Sequence, residues 1–349
     1  MKIYTTLKTV PILTLLCWAG LVRGQDIHFS HIHASPTLLN PAMNGLFNGD
    51  LRFIANYRSQ WETFTNGFRT MMGSADMKVA RVGVYDFIGA GLQVFSDKAG
   101  DLDFTTTSVG LSVSMIKSLD HRDDHFIAFG IQNNFVTNRV DYTNVVAFQS
   151  LQNLDGSVGD ESSFWDLNAG LSWFYAFDRY SFVYFGASYF HINDPNVSLL
   201  RDNRSGLNQV PRLFRKLVFH GGADFDINWA FKLKPSFIFV DQGPHQEVTV
   251  GSFLKFNYER LARSKAKNAV YFGLWFRWYL ESDVRGIAAF VTALRFDLKR
   301  TFITFSFDTN VSKLFAASSG AGGPELSVIH SIDLHRSKRR NSKIKCPSF

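Results

Sequence analysis

The sequence predicts an all-β protein, a transmembrane antiparallel up-and-down β-barrel of about 14 strands, and three observations carry that expectation. Apolar and polar residues alternate along most of the chain, the alternating stretches are long, and the connections between them differ in length on the two sides. In Asp166–Phe177, the side chains of Leu167, Ala169, Leu171, Trp173, Tyr175 and Phe177 share one face, and those of Asp166, Asn168, Gly170 and Ser172 share the other. Ile127, Phe129 and Ile131 stand against Ala128, Gly130, Gln132 and Asn134 in the same way, as do Ile303, Phe305 and Phe307 against Thr304, Ser306, Asp308 and Asn310. A period of two gives a strand with one apolar and one polar face.

The strands expected from this pattern are 51–60, 68–79, 83–97, 103–119, 125–140, 163–177, 180–191, 213–228, 231–241, 246–258, 268–281, 285–298, 301–312 and 324–336. Most exceed the ~9–11 residues that a tilted strand needs to cross a bilayer; soluble sandwiches use strands of about 5–6. Connections after odd-numbered strands include 141–162, 192–212 and 313–323, whereas those after even-numbered strands are mostly tight, as in Ala80–Val82 and Leu298–Arg300. Short periplasmic turns and long outer loops produce that asymmetry in outer-membrane barrels. The stretch Glu259–Lys267 breaks the rule. An even strand count places both termini on the periplasmic side. Pro195, Pro211, Pro244 and Pro324 fall in loops or at strand ends, while Pro235 sits inside a strand of a sheet with no free edge to absorb its missing donor.

Composition narrows the function classes. The 349 residues are 46% hydrophobic and 19% charged, which excludes a disordered or collagen-like chain. Phenylalanine (35) outnumbers tyrosine (11) and tryptophan (7) to a degree that a core of this size does not require, so some rings face something other than a protein interior. The net charge of +7 is concentrated at the ends: Lys2, Lys8 and Arg23 before residue 25, and Arg336, Lys338, Arg339, Arg340, Lys343 and Lys345 at the C-terminus. Without these nine residues, 28 basic side chains face 30 acidic ones, which leaves no basis for a nucleic-acid-binding face.

The basic start, the short apolar run Val10–Val22 and the small residue Gly24 read as a signal peptide, residues 1–24, cleaved after Gly24. Leu16 before Cys17 is a poor lipoprotein box, and cleavage leaves Cys346 as the sole cysteine, which excludes a disulfide and a CxxC metal site. Residues 25–50 form an expected periplasmic N-terminal segment, residues 51–336 the barrel, and residues 337–349 a basic periplasmic tail.

No pattern carries catalysis or a cofactor. His28, His31 and His33 have the spacing of neither a HExxH helix nor a zinc site, so structural histidines are expected there and no metal. Gly89-Ala90-Gly91 lacks the third glycine and the helix of a dinucleotide site. Asp120, Asp123 and Asp124 read as a solvated turn, and no GxSxG is present. A barrel hydrolase, built from lumen residues that converge only in space, stays open as a rival.

Gln25–Gly45, with its Ser35-Pro36-Thr37-Leu38-Leu39-Asn40-Pro41 core, resembles the mature start of the PorP/SprF family of type IX secretion proteins, and Asn56–Trp61 resembles the NYRxQW that follows it there. Ser318–Val328 and the closing Lys345–Phe349 are similar to that family's last-strand and C-terminal motifs, with Ile27, His31 and Gly323-Pro324 as departures. The resemblance implies an outer-membrane barrel, not an enzyme, that serves the secretion and gliding machinery of Bacteroidota. Its implied partners are periplasmic ring components and a cargo or adhesin with a type B C-terminal sorting domain, alongside outer-membrane lipid and no nucleic acid. Turn-formers and apolar side chains let residues 25–50 dock, either on a partner or as a plug under their own barrel. The candidate partner-binding residues are therefore Phe29, Leu38, Leu39, Asn40, Pro41, Met43 and Phe47, with Arg339, Arg340, Lys343 and Lys345 in the tail. The alternative function is a diffusion channel or FadL-like transporter, against which a lumen filled by the N-terminal segment would weigh.

Overall fold

Fourteen strands of alternating character close on themselves. The structure, a computed structural model, describes residues 26, 29–30, 34–60, 67–82, 86–100, 103–120, 124–141, 160–177, 181–199, 211–228, 230–257, 268–281, 286–311 and 322–334. Among them are β1 (Leu51–Gln60), β2 (Phe68–Arg81), β3 (Phe87–Ala99), β4 (Phe104–Ser118), β5 (His125–Arg139), β6 (Glu161–Ala176) and β7 (Phe182–Phe190). There follow β8 (Lys216–Asp226), β9 (Phe231–Gln242), β10 (His245–Phe256), β11 (Asn268–Tyr279), β12 (Gly286–Leu298), β13 (Thr301–Asn310) and β14 (Pro324–Ile332). Each pairs antiparallel with its sequence neighbours, and β14 returns to β1, from Leu51 opposite Ile332 to Arg58 opposite Glu325. All fourteen expected strands are present. The first coincides with its expected range, and the last ends at Ile332 rather than at 336.

The two ends of the barrel differ. At the terminal end, where β1 starts and β14 stops, β12 passes to β13 through Lys299 and Arg300 alone. At the opposite, loop end lie the long connections between β5 and β6, β7 and β8, and β13 and β14. Two connections depart from this: the longer one from Phe256 of β10 to Asn268 of β11 joins strand ends at the terminal end, and Gly243 and Pro244 make a tight turn between β9 and β10 at the loop end. Pro235 is accommodated because the β8–β9 register is interrupted across Ala223–Asp224 and Lys234–Pro235, while Pro235 keeps its place opposite Ser252 of β10.

The faces are inside-out relative to a soluble barrel. On β6 the apolar face is the exposed one, with Trp165 at 59% and Leu171 at 47%, while Asp166, Asn168 and Ser172 are buried. Leu111, Phe129, Phe272 and Phe305 continue the exposed apolar surface around the sheet. A belt of that extent needs lipid against it. Ten phenylalanines of the strands, among them Phe53, Phe185 and Phe307, are exposed on this outer face.

The interior is filled by the chain's own start, so that of the two docking modes open to residues 25–50 the plug is the one the described residues adopt. The segment enters at the loop end, where Asp26 meets His191, Lys216 and Gln242, and leaves at the terminal end, where Gly49 lies against Ser331 and Ile332. Between them it forms a one-turn helix, α1 (Pro36–Leu39), and a 3-10 turn, Pro41–Met43. Phe29, Leu39, Met43, Leu46 and Phe47 are all buried. Five such side chains stabilise the threaded position by roughly 8–15 kcal/mol in total, at about 1.5–3 each. That outweighs anything an exposed excursion of the segment offers. Asp26 and Ile332 therefore lie at opposite ends of the barrel.

Wall glycines set the fit. A side chain on Gly170 would collide with Asn40, and one on Gly130 with the backbone of Pro41 and Ala42. Gly170→Val should therefore leave a barrel that still runs faster on gels when unheated, while making residues 34–47 accessible to protease. Unchanged protease resistance would show that the segment does not pack there.

Candidate functional site

The site is the plugged lumen and its loop-end mouth. Asn40 is the middle anchor. Its side-chain oxygen accepts from the Ala42 amide at 2.9 Å and so caps the 3-10 turn that Pro41 begins. Its side-chain nitrogen lies 2.9 Å from the Leu171 carbonyl, 3.0 Å from Ser172 Oγ and 3.0 Å from His220 Nε2. Asn44 turns back on the same unit, donating to the Pro41 carbonyl at 2.8 Å, and Ser114 and Ser188 donate to the Asn44 and Leu39 carbonyls, each at 2.6 Å. The Asn-Pro-x-x-Asn spacing thus makes a compact knot whose outward carbonyls are satisfied by barrel serines.

The lower anchor is Arg52 opposite Asp76 on neighbouring strands, paired through Nε–Oδ1 and Nη2–Oδ2, both at 2.8 Å, with side chains 2% and 0% exposed. The pair also holds the segment: Asp76 accepts from the Gly45 amide at 2.7 Å, and Arg52 reaches the Met43 carbonyl at 3.3 Å. Gly45 has φ +73°, a left-handed conformation for which glycine is suited. Removing one partner from a buried ion pair leaves an uncompensated charge, so neither residue is replaceable alone.

Two upper anchors grip Asp26 and Ser30. Ser30 donates through its amide to Glu325 (2.7 Å) and through its hydroxyl to Asp308 (3.0 Å), which also binds Arg58 (3.1 Å) and Arg277 (2.8 Å). Asp26 binds Lys216 at 2.6 Å and His191 Nε2 at 2.8 Å, and His191 Nδ1 meets Asp166 at 2.8 Å. Burial disfavours a charged imidazole, but the flanking carboxylates of Asp26 and Asp166 outweigh it and raise His191 to about 9. Burial would likewise raise Asp26, yet His191 and Lys216 hold it well below the usual carboxylate range. Across the lumen, β10–β12 supply their own filling in Phe253, Tyr271, Trp275, Val291 and Ala293.

Of the sequence-predicted partner residues, Phe29, Leu39, Asn40, Pro41, Met43 and Phe47 are brought together inside the lumen, fully buried, and Leu38 is half-buried. They bind the barrel rather than offering a free docking face. Arg339, Arg340, Lys343 and Lys345, like His28, His31 and His33, lie outside the described residues. The anchors Asp26, Arg52, Asp76, Asp166, His191 and Lys216 were missed. The signal for four of them was present: Arg52, Asp76, Asp166 and Lys216 are charged residues in strands, on the face the alternation marks as internal.

An inside-out closed sheet with an occupied lumen defines a plugged outer-membrane β-barrel. Residues 21–326 match the family described as Type IX secretion system membrane protein PorP/SprF, and the chain belongs to that family. Membership implies interaction with other components of that secretion system. No curated protein is a significant match. Among solved structures it is similar to the CymD monoaromatic hydrocarbon channel (11% identity, TM-score 0.48, covering 87% of this chain and 94% of that one). It is also similar to the toluene transporter TbuX of Ralstonia pickettii (11%, 0.47, 85% and 92%) and to the toluene transporter TodX of Pseudomonas putida (9%, 0.45, 87% and 93%).

The upper anchor has a predictable pH range. His191, raised on folding, contributes stability that is complete below its unfolded value near 6.5 and lost as pH rises through about 9. Asp26, lowered on folding, contributes above its unfolded value and loses it on acidification below that value. Hydrogen exchange at residues 26–30 should therefore quicken, beyond its intrinsic pH dependence, above pH 9 and in acid, with residues 40–47 unaffected. His191→Ala should remove the alkaline step.

Proposed function

We propose that this protein is a non-conducting accessory or anchor of the type IX secretion machinery. It supports the export and surface attachment of a cargo or adhesin that carries a type B C-terminal sorting domain. Membership of the PorP/SprF family supports the system, and the observation that carries the anchor reading is the threaded lumen. A channel needs an open path, whereas here the mid-lumen residues Ala42, Met43, Asn44, Asn168 and His220 have lost essentially all contact with solvent. The diffusion-channel alternative is correspondingly disfavoured.

No enzymatic role is proposed. Ser172 and His220 both reach Asn40, but that residue lies between them and both are buried at 1% or less, where no substrate arrives. With the loop end outward, the terminal end and the basic tail 337–349 face the periplasm, where ring components are met, and the start of the plug faces the exterior.

Three measurements test this reading. In planar bilayers the intact protein should conduct little, and deletion of 26–47 or Gly170→Val should open a conductance; a large conductance in the intact protein would favour a transporter. A tag before Asp26 should be labelled on intact cells and a tag after Phe349 should not. Deleting 337–349 should leave the barrel assembled, since β14 ends at Ile332, and reduce cargo export. Wild-type export without the tail would remove it as the periplasmic contact.

A further inference from the structure

One cavity, of about 60 Å³, opens at the mouth between the plug and the β8–β11 wall. Phe29, Leu38 and Leu39 form its plug side, and Val218 and Val240 its apolar wall. Its rim carries Glu247, Tyr279 and Glu281. It lies beside Gly243 and Pro244, the tight turn of the loop end, so the barrel wall is low there.

Each rim carboxylate engages a basic neighbour through one oxygen. Glu247 Oε1 accepts from Thr249 at 3.1 Å and faces Arg277 at 3.1 Å, and Glu281 Oε1 faces His245 Nδ1 at 2.7 Å. The second oxygen of each has no hydrogen-bond partner among the described residues, and both side chains are 21% exposed. Glu247 is opposite Tyr279, which places Glu281 two residues further along the same inner face. The cavity floor is apolar, and its upper edge carries the carboxylates of Asp26, Glu247 and Glu281 against Lys216 and His245.

We infer that this cavity is an anchor socket at the barrel mouth for an extracellular polypeptide, seating one branched aliphatic side chain while Glu247 and Glu281 receive a neighbouring lysine or arginine. Size decides between a polypeptide and a free small molecule. A closed cavity that holds benzene is about 150 Å³. Here only the tip of a side chain fits, and the rest of the ligand must lie over the rim. An apolar anchor in a pocket with flanking charge is how a small contact area gains specificity. The identity of the partner rests on the anchor reading above, but the socket is testable without it.

The experiment uses the purified full barrel carrying Val240→Cys, with Cys17→Ser and Cys346→Ser, and follows labelling by a membrane-impermeant thiol reagent. The probes are lysyl-leucinamide, glutamyl-leucinamide and toluene. Lysyl-leucinamide should slow labelling several-fold, glutamyl-leucinamide should not, and Glu281→Gln should narrow the difference. Slowing by toluene alone would assign the cavity to free hydrocarbons, and equal slowing by the two dipeptides, or none by either, would likewise overturn the proposal. Cargo export is not read in this assay, so its failure and failure of the anchor reading are separate results.

Discussion

A closed sheet of fourteen strands satisfies every strand edge in a solvent that offers no hydrogen bonds, and this closure is the constraint from which the remaining structure follows. Closure turns one face of each strand to lipid and the other to a lumen too wide for wall side chains to fill unaided. The outward face meets its condition with a continuous apolar belt. The inward face is polar, and polar groups removed from bulk water require partners. The N-terminal segment supplies many of them, through Asn40, Ser30 and the carbonyls of Leu39, Met43 and Asn44.

The charged groups follow the same logic. Arg52 and Asp76 are nearly inaccessible, and burial of either alone would cost several kcal/mol. Paired across β1 and β2, with the Gly45 amide and the Met43 carbonyl as further partners, they couple the exit of the segment to the first ladder of the barrel. At the mouth, Asp308 serves two arginines and Ser30, so the upper grip depends on a network rather than on a single contact. The segment is therefore held at its top, middle and bottom by different chemistry.

The strands were legible because a period of two sustained over more than ten residues suits a half-buried strand and neither a helix nor a loop, and turn residues such as Lys299 and Arg300 mark their ends. The closed lumen was not. Leu38, Leu39, Met43 and Phe47 present the same apolar pattern whether they dock on a partner or on their own barrel, and nothing local distinguishes the two. The deciding contacts are remote in sequence: Asp26 to His191 spans 165 residues and Ser30 to Glu325 spans 295. Interior charges such as Arg52 and Arg58 were readable from strand parity, yet their partners depend on register, which alternation alone does not fix.

The segment that fills the lumen is also the first part of the barrel region to leave the ribosome, and the ladder that seals the cylinder joins β1 to the last strand made. The Asn40 knot meets the barrel serines that hold it along the inner wall, which stays open to the segment until that last ladder forms. Chain order therefore lets the segment find its place first. The early residues can settle on the inner wall before β14 zips to β1, so the wall closes around its contents, while strand number and stagger set the girth of the cylinder.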